Sequence, residues 1–318
     1  MKSRDYEYVM AVSQEGSFSR AARRLYISQP ALSAAIRKLE AELHDIPLFD
    51  RSVSPVVLTP EGHFWLEKAR SISELENEIE EHFSSIAGVR KGTISVGSSA
   101  YFCAYMLAGI IHRFKELTPG CEITLTECSA ASMEAGLRDG RLLLGIDVEK
   151  PDSALFDLTE LGHEYLLLGV PSSFHINEKL QDSALNREQI LSRSFLDASV
   201  PAVDLSLFAD QPFILMKKTQ DSYERALAIC RQAGFEPRVS LYMDQLLTAY
   251  NVARNDQGAC VFFRDTILRY TEPTERLKYY KLDSPLSKRS IWLSVRKTPK
   301  PSRLTEDFIK FVMLSMKD

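Results

Sequence analysis

Five basic side chains crowd into one short stretch near the start of the chain, where they could bind the phosphates of a nucleic acid. The segment from Ser17 to Leu43 contains no acidic residue before Glu40. An ordinary solvated surface intersperses charges of both signs, so this run is unusual. Cations without acidic neighbours are suited to neutralising phosphates. The basic residues are Arg20, Arg23, Arg24, Arg37 and Lys38.

A second group in the same stretch has side chains that could read base edges. With each residue turning a helix by about 100°, Gln29, Ser33, Arg37 and Glu40 share one side. Glutamine, serine and arginine are the types that hydrogen-bond bases and phosphates, and the small Pro30 would let the backbone approach a groove. We therefore predict that Gln29, Ser33 and Arg37 discriminate bases.

Three short helices are predicted to position these side chains. The first covers residues 3–14 and ends at Gly16, the second begins at Ser17 or Ser19, and Ser28 caps the third. Two short helices joined by a tight turn are typical of a helix-turn-helix. The alternative is a three-helix packing unit whose arginines are merely solvated. The third helix has an apolar face made by Leu32, Ile36, Leu39 and Leu43.

A small hairpin is expected to follow the third helix. The β-rich segment VVLT comes directly after SVSP, a turn-forming sequence. This arrangement predicts a wing with Arg51 at its tip, placed to touch a phosphate or enter a minor groove.

A longer helix should begin at Thr59 and Pro60, which fit the N-cap and first helical positions. From there an apolar residue recurs every seven positions, which is the spacing of a coiled-coil seam. The pattern predicts a dimerisation arm that holds two recognition helices roughly 34 Å apart. The alternative is an amphipathic helix packed on its own domain. The repeating residues are Trp65, Ile72, Ile79 and Ile86, with Ala69, Leu75 and Phe83 on the same side.

The run GSFSRAARRLYISQPALSAAIRKLEAEL, followed by PLFDRS and VLTPEG, resembles the N-terminal domain of LysR-type transcriptional regulators over residues 1 to about 65. The resemblance implies a winged helix-turn-helix at 1–62 and a linker helix at 63–90. It also implies a homodimer or homotetramer that binds double-stranded DNA at dyad-symmetric sites. By position, the groove-reading residues are Ser28, Gln29, Pro30, Ser33 and Arg37, and the wing residue is Arg51.

The larger part of the chain alternates between strand and helix patterns. TISVGS, the helical YFCAYMLAGIIHRFKEL and then EITLTE give the order strand, helix, strand, which predicts a parallel sheet in an α/β domain. Further strands are predicted at RLLLGI, YLLLGV, PFILM, VSLYM, GACVFF and SIWLSV, and further helices at SYERALAICRQAG and LTEDFIKFVMLSM.

GTISVGS, FKELTPGCEITLTE, GLRDGRLLLGI and QAGFEPRVS resemble the effector-binding domain of the same family. That resemblance implies a two-lobed α/β domain at 91–318, like a periplasmic solute-binding protein. Its first lobe would hold about 91–164 and 266–318, and its second about 165–265. The segments RLLLGI and ARNDQG depart from the family pattern, so the resemblance does not identify the small-molecule effector.

Ligands in such folds bind at the carboxyl ends of strands. Ser98 and Ser99 follow the first predicted strand and Ser129 follows the next, so their hydroxyls could hold an anion such as a carboxylate. Lys217, after PFILM, could supply a charge from the other lobe. The alternatives are simple helix capping for the serines and a solvated surface position for Lys217.

Composition and missing motifs narrow the classes of function. The net charge of −4 over 318 residues makes any basic surface local. Five scattered cysteines predict reduced thiols, and neither a metal nor an organic cofactor is expected. The absence of a signal peptide, an 18-residue apolar run and any catalytic motif predicts a cytoplasmic protein that is not an enzyme. The alternative is a cytoplasmic small-molecule-binding protein or enzyme without specific DNA binding.

Overall fold

A computed structural model of the chain describes residues 3–86, 92–218, 220–255, 258–298 and 300–316. The chain divides into two compact units. One contains residues 1–92 with the short segments 118–122 and 302–304, and the other contains the remainder.

The N-terminal unit is built of helices and one small hairpin. Its apolar core includes Leu32, Ile36 and Leu39, which confirms the predicted buried face of the third helix. Leu43 packs against that core while remaining partly exposed. The elements are α1 Ser3–Glu15, α2 Phe18–Arg24, α3 Gln29–Glu42, β1 Phe49–Asp50, β2 Val57–Leu58 and α4 Pro60–Ile86.

Left-handed residues end the first two helices. Gly16 after α1 has a φ of +56°, and Tyr26 after α2 has a φ of +55°. Around Tyr26 the N–H of Ile27 donates to the carbonyl of Ala22 at 3.0 Å, and the N–H of Tyr26 donates to that of Arg23 at 3.2 Å. These are the two bonds of a Schellman motif. They terminate α2 abruptly and set the direction in which the chain enters α3.

The second unit contains a mixed sheet that is ten-stranded within the described residues. Its order is β4-β3-β5-β12-β6-β10-β8-β9, with β11 pairing with β6 and β7. The strands are β3 Gly92–Ser98, β4 Cys121–Glu127, β5 Leu144–Asp147, β6 Phe156–Pro171, β7 Ala184–Leu185, β8 Pro212–Met216, β9 Arg238–Met243, β10 Cys260–Arg264, β11 Leu277–Tyr280 and β12 Lys288–Arg296.

The sheet is mixed, with the predicted parallel pairing in part of it. Parallel pairs join β3 to β5 and β8 to both β9 and β10. The central strands β6 and β12, in contrast, run antiparallel to each other, and each also has a further antiparallel partner. Alternating strand and helix patterns carry no information on such long-range antiparallel pairing, so the sequence did not reveal it.

Strand β6 passes through the middle of the sheet and links its two halves. Residues 156–165 pair with β12, and residues 166–171 pair with β10 and β11. Because β11 still belongs to the second half, the chain returns to the first half between residues 281 and 287. The predicted return near residue 265 is therefore too early, since β11 had not been recognised as a strand.

Helices cover the sheet. The helix expected after Ser129 is present as α7, and α8 and α10 lie in regions that gave no expectation. No helix among the described residues is long and apolar enough to cross a membrane. The helices are α5 Ala100–Phe102, which continues through a π-helical turn at Cys103–Leu107 into α6 Ala108–Leu117, then α7 Ala130–Arg138, α8 Arg187–Leu191, α9 Asp221–Gln232, α10 Leu246–Arg254 and α11 Arg303–Ser315.

Candidate nucleic-acid interface and effector-binding unit

The N-terminal end of α3 is an exposed polar surface. The side chain of Ser28 caps the helix by accepting the N–H of Ala31 at 3.3 Å, as the sequence predicts. Pro30 lies in the first turn, where its missing N–H leaves no donor unpaired. One turn along, the Gln29 amide donates to the Ser33 hydroxyl at 2.8 Å. This bond orients the two side chains that we expect to read bases.

The arginines of this unit fall into two groups. Arg20 and Arg24 pair with Glu15 at the end of α1, at 3.6 and 3.5 Å, so their charge is partly neutralised by an acid just outside the basic run. Arg23 and Arg37 are exposed and form no ion pair with any described residue. Each donates from Nε to a carbonyl one turn earlier, Arg23 to Ser19 and Arg37 to Ser33. The free positive charge therefore lies at the end of α2 and on the exposed side of α3.

Arg51 lies in the turn between β1 and β2, where its predicted contact with DNA stays a prediction, and the fold adds a partner for it within the protein. Arg51 directly follows β1 and pairs with Glu40 of α3 at 2.7 Å, while its guanidinium lies 5.0 Å from the centre of the Phe18 ring. Glu40 is itself buried and accepts the N–H of Leu48 at 2.9 Å. The wheel position of Glu40 lies between Ile36 and Ser33, at the edge of the core face, so the carboxylate turns inward. This pair joins the hairpin to the recognition helix.

Replacing Glu40 with alanine should destabilise the N-terminal unit. The change leaves the buried N–H of Leu48 without its acceptor and Arg51 without its anion, at a cost of about 1–3 kcal/mol. Urea denaturation of the full chain, followed through its first transition, measures this loss. Glu42→Ala is the control, because Glu42 is an exposed acid of the same helix. Equal stability of the two variants would contradict the structural role of Glu40.

Helix α4 begins as predicted, with the N–H of Gly62 donating to the hydroxyl of Thr59 at 2.9 Å. Early in the helix, Leu66 belongs to the N-terminal core, half-buried Trp65 packs against it, and Ala69 is buried as well. Further along, an apolar seam faces solvent, and the side chain of Ile86 lies outside the described part of the chain. The seam consists of Ile72, Leu75, Ile79 and Phe83, which are 44, 58, 61 and 66% exposed.

The predicted effector-binding serines are mostly engaged by the protein itself. Ser98 is fully buried and its hydroxyl donates to the carbonyl of Ile146. Ser129 caps α7 by accepting the N–H of Ser132 at 3.3 Å, which confirms the capping alternative. Ser99 differs, because its hydroxyl oxygen is buried at the start of α5 and has no hydrogen-bond partner among the described residues. Of the three serine hydroxyls, that of Ser99 is the one without a hydrogen-bond partner among the described residues.

Lys217 is exposed, and its ammonium pairs with Asp244 at 2.8 Å. Asp244 follows β9, the strand beside β8, and the N–H of Lys217 also donates to the carbonyl of Met243. The lysine thus ties two adjacent strand ends together. The structure gives it no contact with Ser98, Ser99 or Ser129.

A buried ionic cluster that sequence analysis missed lies where the two halves of the sheet meet. Glu164 of β6 is completely buried between Arg264 of β10, at 3.2 Å, and Arg289 of β12, which is in closer contact. The Arg264 guanidinium lies 4.6 Å from the centre of the Tyr101 ring. Burial alone would raise the pKa of Glu164, but the two guanidinium groups outweigh it and hold the pKa below its ordinary value.

The only sequence signal for this cluster is the presence of single charged residues at the ends of apolar strand segments. Charged side chains are almost never fully buried unless they are paired. Such residues are therefore expected to form ion pairs with one another in the fold, although the sequence does not say which residues pair.

A winged helix-turn-helix joined by a long helix to a mixed α/β unit is the architecture of a transcriptional regulator with a substrate-binding domain. Residues 3–63 match the family described as bacterial regulatory helix-turn-helix protein, lysR family, and residues 87–316 match the LysR substrate binding domain. The chain belongs to the LysR family, and it is a DNA-binding transcriptional regulator with an effector-binding domain.

Relatives agree with this assignment. The chain is 29% identical to the uncharacterized HTH-type transcriptional regulator YcgK of Bacillus subtilis, over 79% of this chain and 76% of that one. It is 32% identical to the HTH-type transcriptional regulator BenM of Acinetobacter baylyi, over 62 and 64%. The crystal structure of CbnR, a LysR family transcriptional regulator, shares the fold with a TM-score of 0.60, at 22% identity and full coverage of both chains. These relatives are named as regulators and not as enzymes.

Proposed function

We propose that this protein is a sequence-specific, effector-controlled regulator that acts in the cytoplasm and binds dyad-symmetric DNA as a homodimer or homotetramer. The observation that carries the proposal is the exposed start of α3, where the orienting bond between Gln29 and Ser33 adjoins Arg37, which forms no ion pair with any described residue. A helix that presents such side chains at its N-terminal end fits a major groove. A small-molecule effector is the only ligand that the proposal requires besides DNA.

Different side chains serve positioning and base readout. Phosphate contacts from Arg20, Arg23 and Arg24 set the register on the duplex, while Gln29, Ser33 and Arg37 select bases. Ser28 and Pro30 shape the helix start and allow close approach of the backbone. Arg51 holds the hairpin against α3 through Glu40, and from this turn we propose that it also touches a phosphate.

The proposal can be tested with a library of genomic fragments. Purified full chain is incubated with the library and competitor DNA at near-physiological salt, and the retained fragments are sequenced. We expect enrichment of one dyad-symmetric motif, which Arg37→Ala should abolish. Retention of fragments without any shared motif, both alone and with cell metabolites added, would refute sequence-specific binding.

Gln29→Ala should weaken binding to the cognate site by about 1–3 kcal/mol and relax the base preference there. Arg23→Ala is the matched comparison, because a phosphate contact contributes equally on every sequence. Arg23→Ala should weaken binding to cognate and random DNA alike and make the affinity less dependent on salt. Titrations on both DNAs at several salt concentrations distinguish the two. Equal losses on cognate and random DNA for Gln29→Ala would remove that residue from base readout.

We further propose that the effector binds between the two halves of the α/β unit, near the buried hydroxyl of Ser99. Support for Ser98, Ser129 and Lys217 as contacts is weaker, since each already has a partner within the protein. Effector binding would shift the equilibrium between different arrangements of these two halves. This shift would change how the dimer or tetramer fits a bent DNA site. DNA and effector affinities must then be coupled reciprocally. A saturating effector that left DNA affinity, footprint and bend unchanged would refute this mechanism.

A further inference from the structure

A cleft of about 430 Å³ opens in the α/β unit between the loop after β5, the start of α9 and β12. This volume is within the range of small-molecule pockets. The loop after β5 contributes Glu149 and Lys150, the first turn of α9 contributes Asp221, and β12 contributes Lys288, Arg289 and Trp292. None of Ser98, Ser99, Ser129 and Lys217 lines it.

Arg289 is the buried polar group of this cleft, with only 2% of its surface exposed. Glu164 and the hydroxyl of Ser222 hold its terminal nitrogens. Its Nε is buried and has no hydrogen-bond partner in the described part of the chain. Because these contacts engage both terminal nitrogens, Nε is the nitrogen that the guanidinium can still offer to a ligand carboxylate.

The remaining charges of the cleft include both signs. Arg225 and Asp221 pair with each other at 3.3 Å and largely cancel. Across residues 3–316 as described, Lys150, Lys288 and Glu149 form no ion pair, and the Lys150 ammonium lies 4.9 Å from the centre of the Trp292 ring. The cleft thus offers two uncompensated cations and one uncompensated carboxylate.

The environment of Glu149 limits the kind of anion that could enter. Partial desolvation of the carboxylate, together with repulsion from Asp147 and Asp221, raises the pKa of Glu149. A ligand that brings only further negative charge would increase this repulsion, whereas a ligand with an ammonium group would relieve it. A compact molecule carrying one charge of each sign suits the cleft better than a dianion.

We propose that this cleft binds a zwitterionic α-amino acid. Its carboxylate lies toward Arg289 and Lys288, its ammonium lies toward Glu149, and its side chain packs along Val148 and Trp292. The inference concerns binding alone and does not rest on the proposed recognition of DNA.

The test is calorimetric titration of the full chain with each of the common L-amino acids at low ionic strength and neutral pH. The amino acid that binds most tightly is then compared with two analogues. One analogue lacks the amino group, and the other lacks the carboxylate. We expect both truncated compounds to bind at least tenfold more weakly. Glu149→Gln and Lys288→Met should each weaken binding of the amino acid by a similar factor. Lys278→Met on β11 is the matched control and should have no effect, since this exposed lysine is outside the cleft.

Each substituted side chain is exposed, so the variants should keep the thermal stability of the parent protein, which is measured alongside. Three results would overturn the proposal. These are no binding of any amino acid, equal binding of the compound without its amino group, or binding that neither cleft variant weakens. Binding of an amino acid by a chain that retained no DNA motif would leave this inference intact and refute only the proposed recognition of DNA.

Discussion

Replacing Glu164 with glutamine should destabilise the α/β unit by about 3–5 kcal/mol, the range for breaking a buried ion pair by removing one partner. Glu164 is completely buried and is the anion shared by Arg264 and Arg289. A neutral amide leaves both guanidinium groups buried without a counter-charge. Chemical denaturation monitored in the transition of the α/β unit measures the loss.

The stabilisation from Glu164 should also depend on pH. Its pKa is below the ordinary value of 4.5 in the folded protein, so the unfolded chain takes up a proton first as the pH falls. The contribution is fully present above pH of about 4.5 and decreases as the pH falls through the folded-state pKa. The difference in unfolding free energy between the parent protein and Glu164→Gln should therefore shrink below that pH.

Glu160→Gln is the control for Glu164. Glu160 lies four residues earlier on the same strand, but it is substantially exposed and pairs with His163 at 2.8 Å near the surface. Surface pairs contribute little to stability. If Glu164→Gln were no more destabilising than Glu160→Gln, the buried cluster would not hold the two halves of the sheet together.

Replacing Ile79 with glutamate should separate the dimer and reduce affinity for a two-half-site DNA fragment about 100-fold, within the range of avidity effects. Ile79 lies at the middle of the apolar seam of α4 and is 61% exposed in the single chain. A charge there costs the isolated chain little, but in a paired seam it would be buried against apolar residues. Sedimentation velocity and DNA titration measure the two effects.

Ser73→Glu provides the matched control for Ile79→Glu. Ser73 is a partly exposed residue of the same helix, at least about 80° around the axis from every residue of the seam. The added charge is the same, but it should face solvent in the dimer as well. If Ile79→Glu remained a dimer with unchanged affinity for DNA, the seam would have no part in pairing.

Much of the candidate DNA interface could be predicted because its determinants are local. Caps at Ser17, Ser28 and Thr59 act on N–H groups within three residues, and the buried face of α3 follows from helical periodicity alone. The seam of α4 has the same origin. Interactions between residues three or four positions apart can be recognised from the spacing of residue types in the sequence.

Pairing across the chain could not be predicted in the same way. The sequence shows Arg51 as an exposed turn residue, whereas the fold gives it Glu40, 11 positions earlier, as its partner. The basic run lacks acids of its own, yet Glu15 from the preceding helix neutralises part of it. Spacing along the chain does not reveal which surfaces the turns bring together.

The sequence by itself determined the winged helix-turn-helix, its polar recognition surface and the long apolar arm, because short-range capping and periodicity specify helices. Only the tertiary structure decided how the predicted effector residues are used and where the buried charges lie. Glu164 meets Arg264 and Arg289 across separations of 100 and 125 residues. Such contacts arise from the antiparallel pairing of strands distant in sequence, and a charge at the end of an apolar segment indicates burial without identifying its partner.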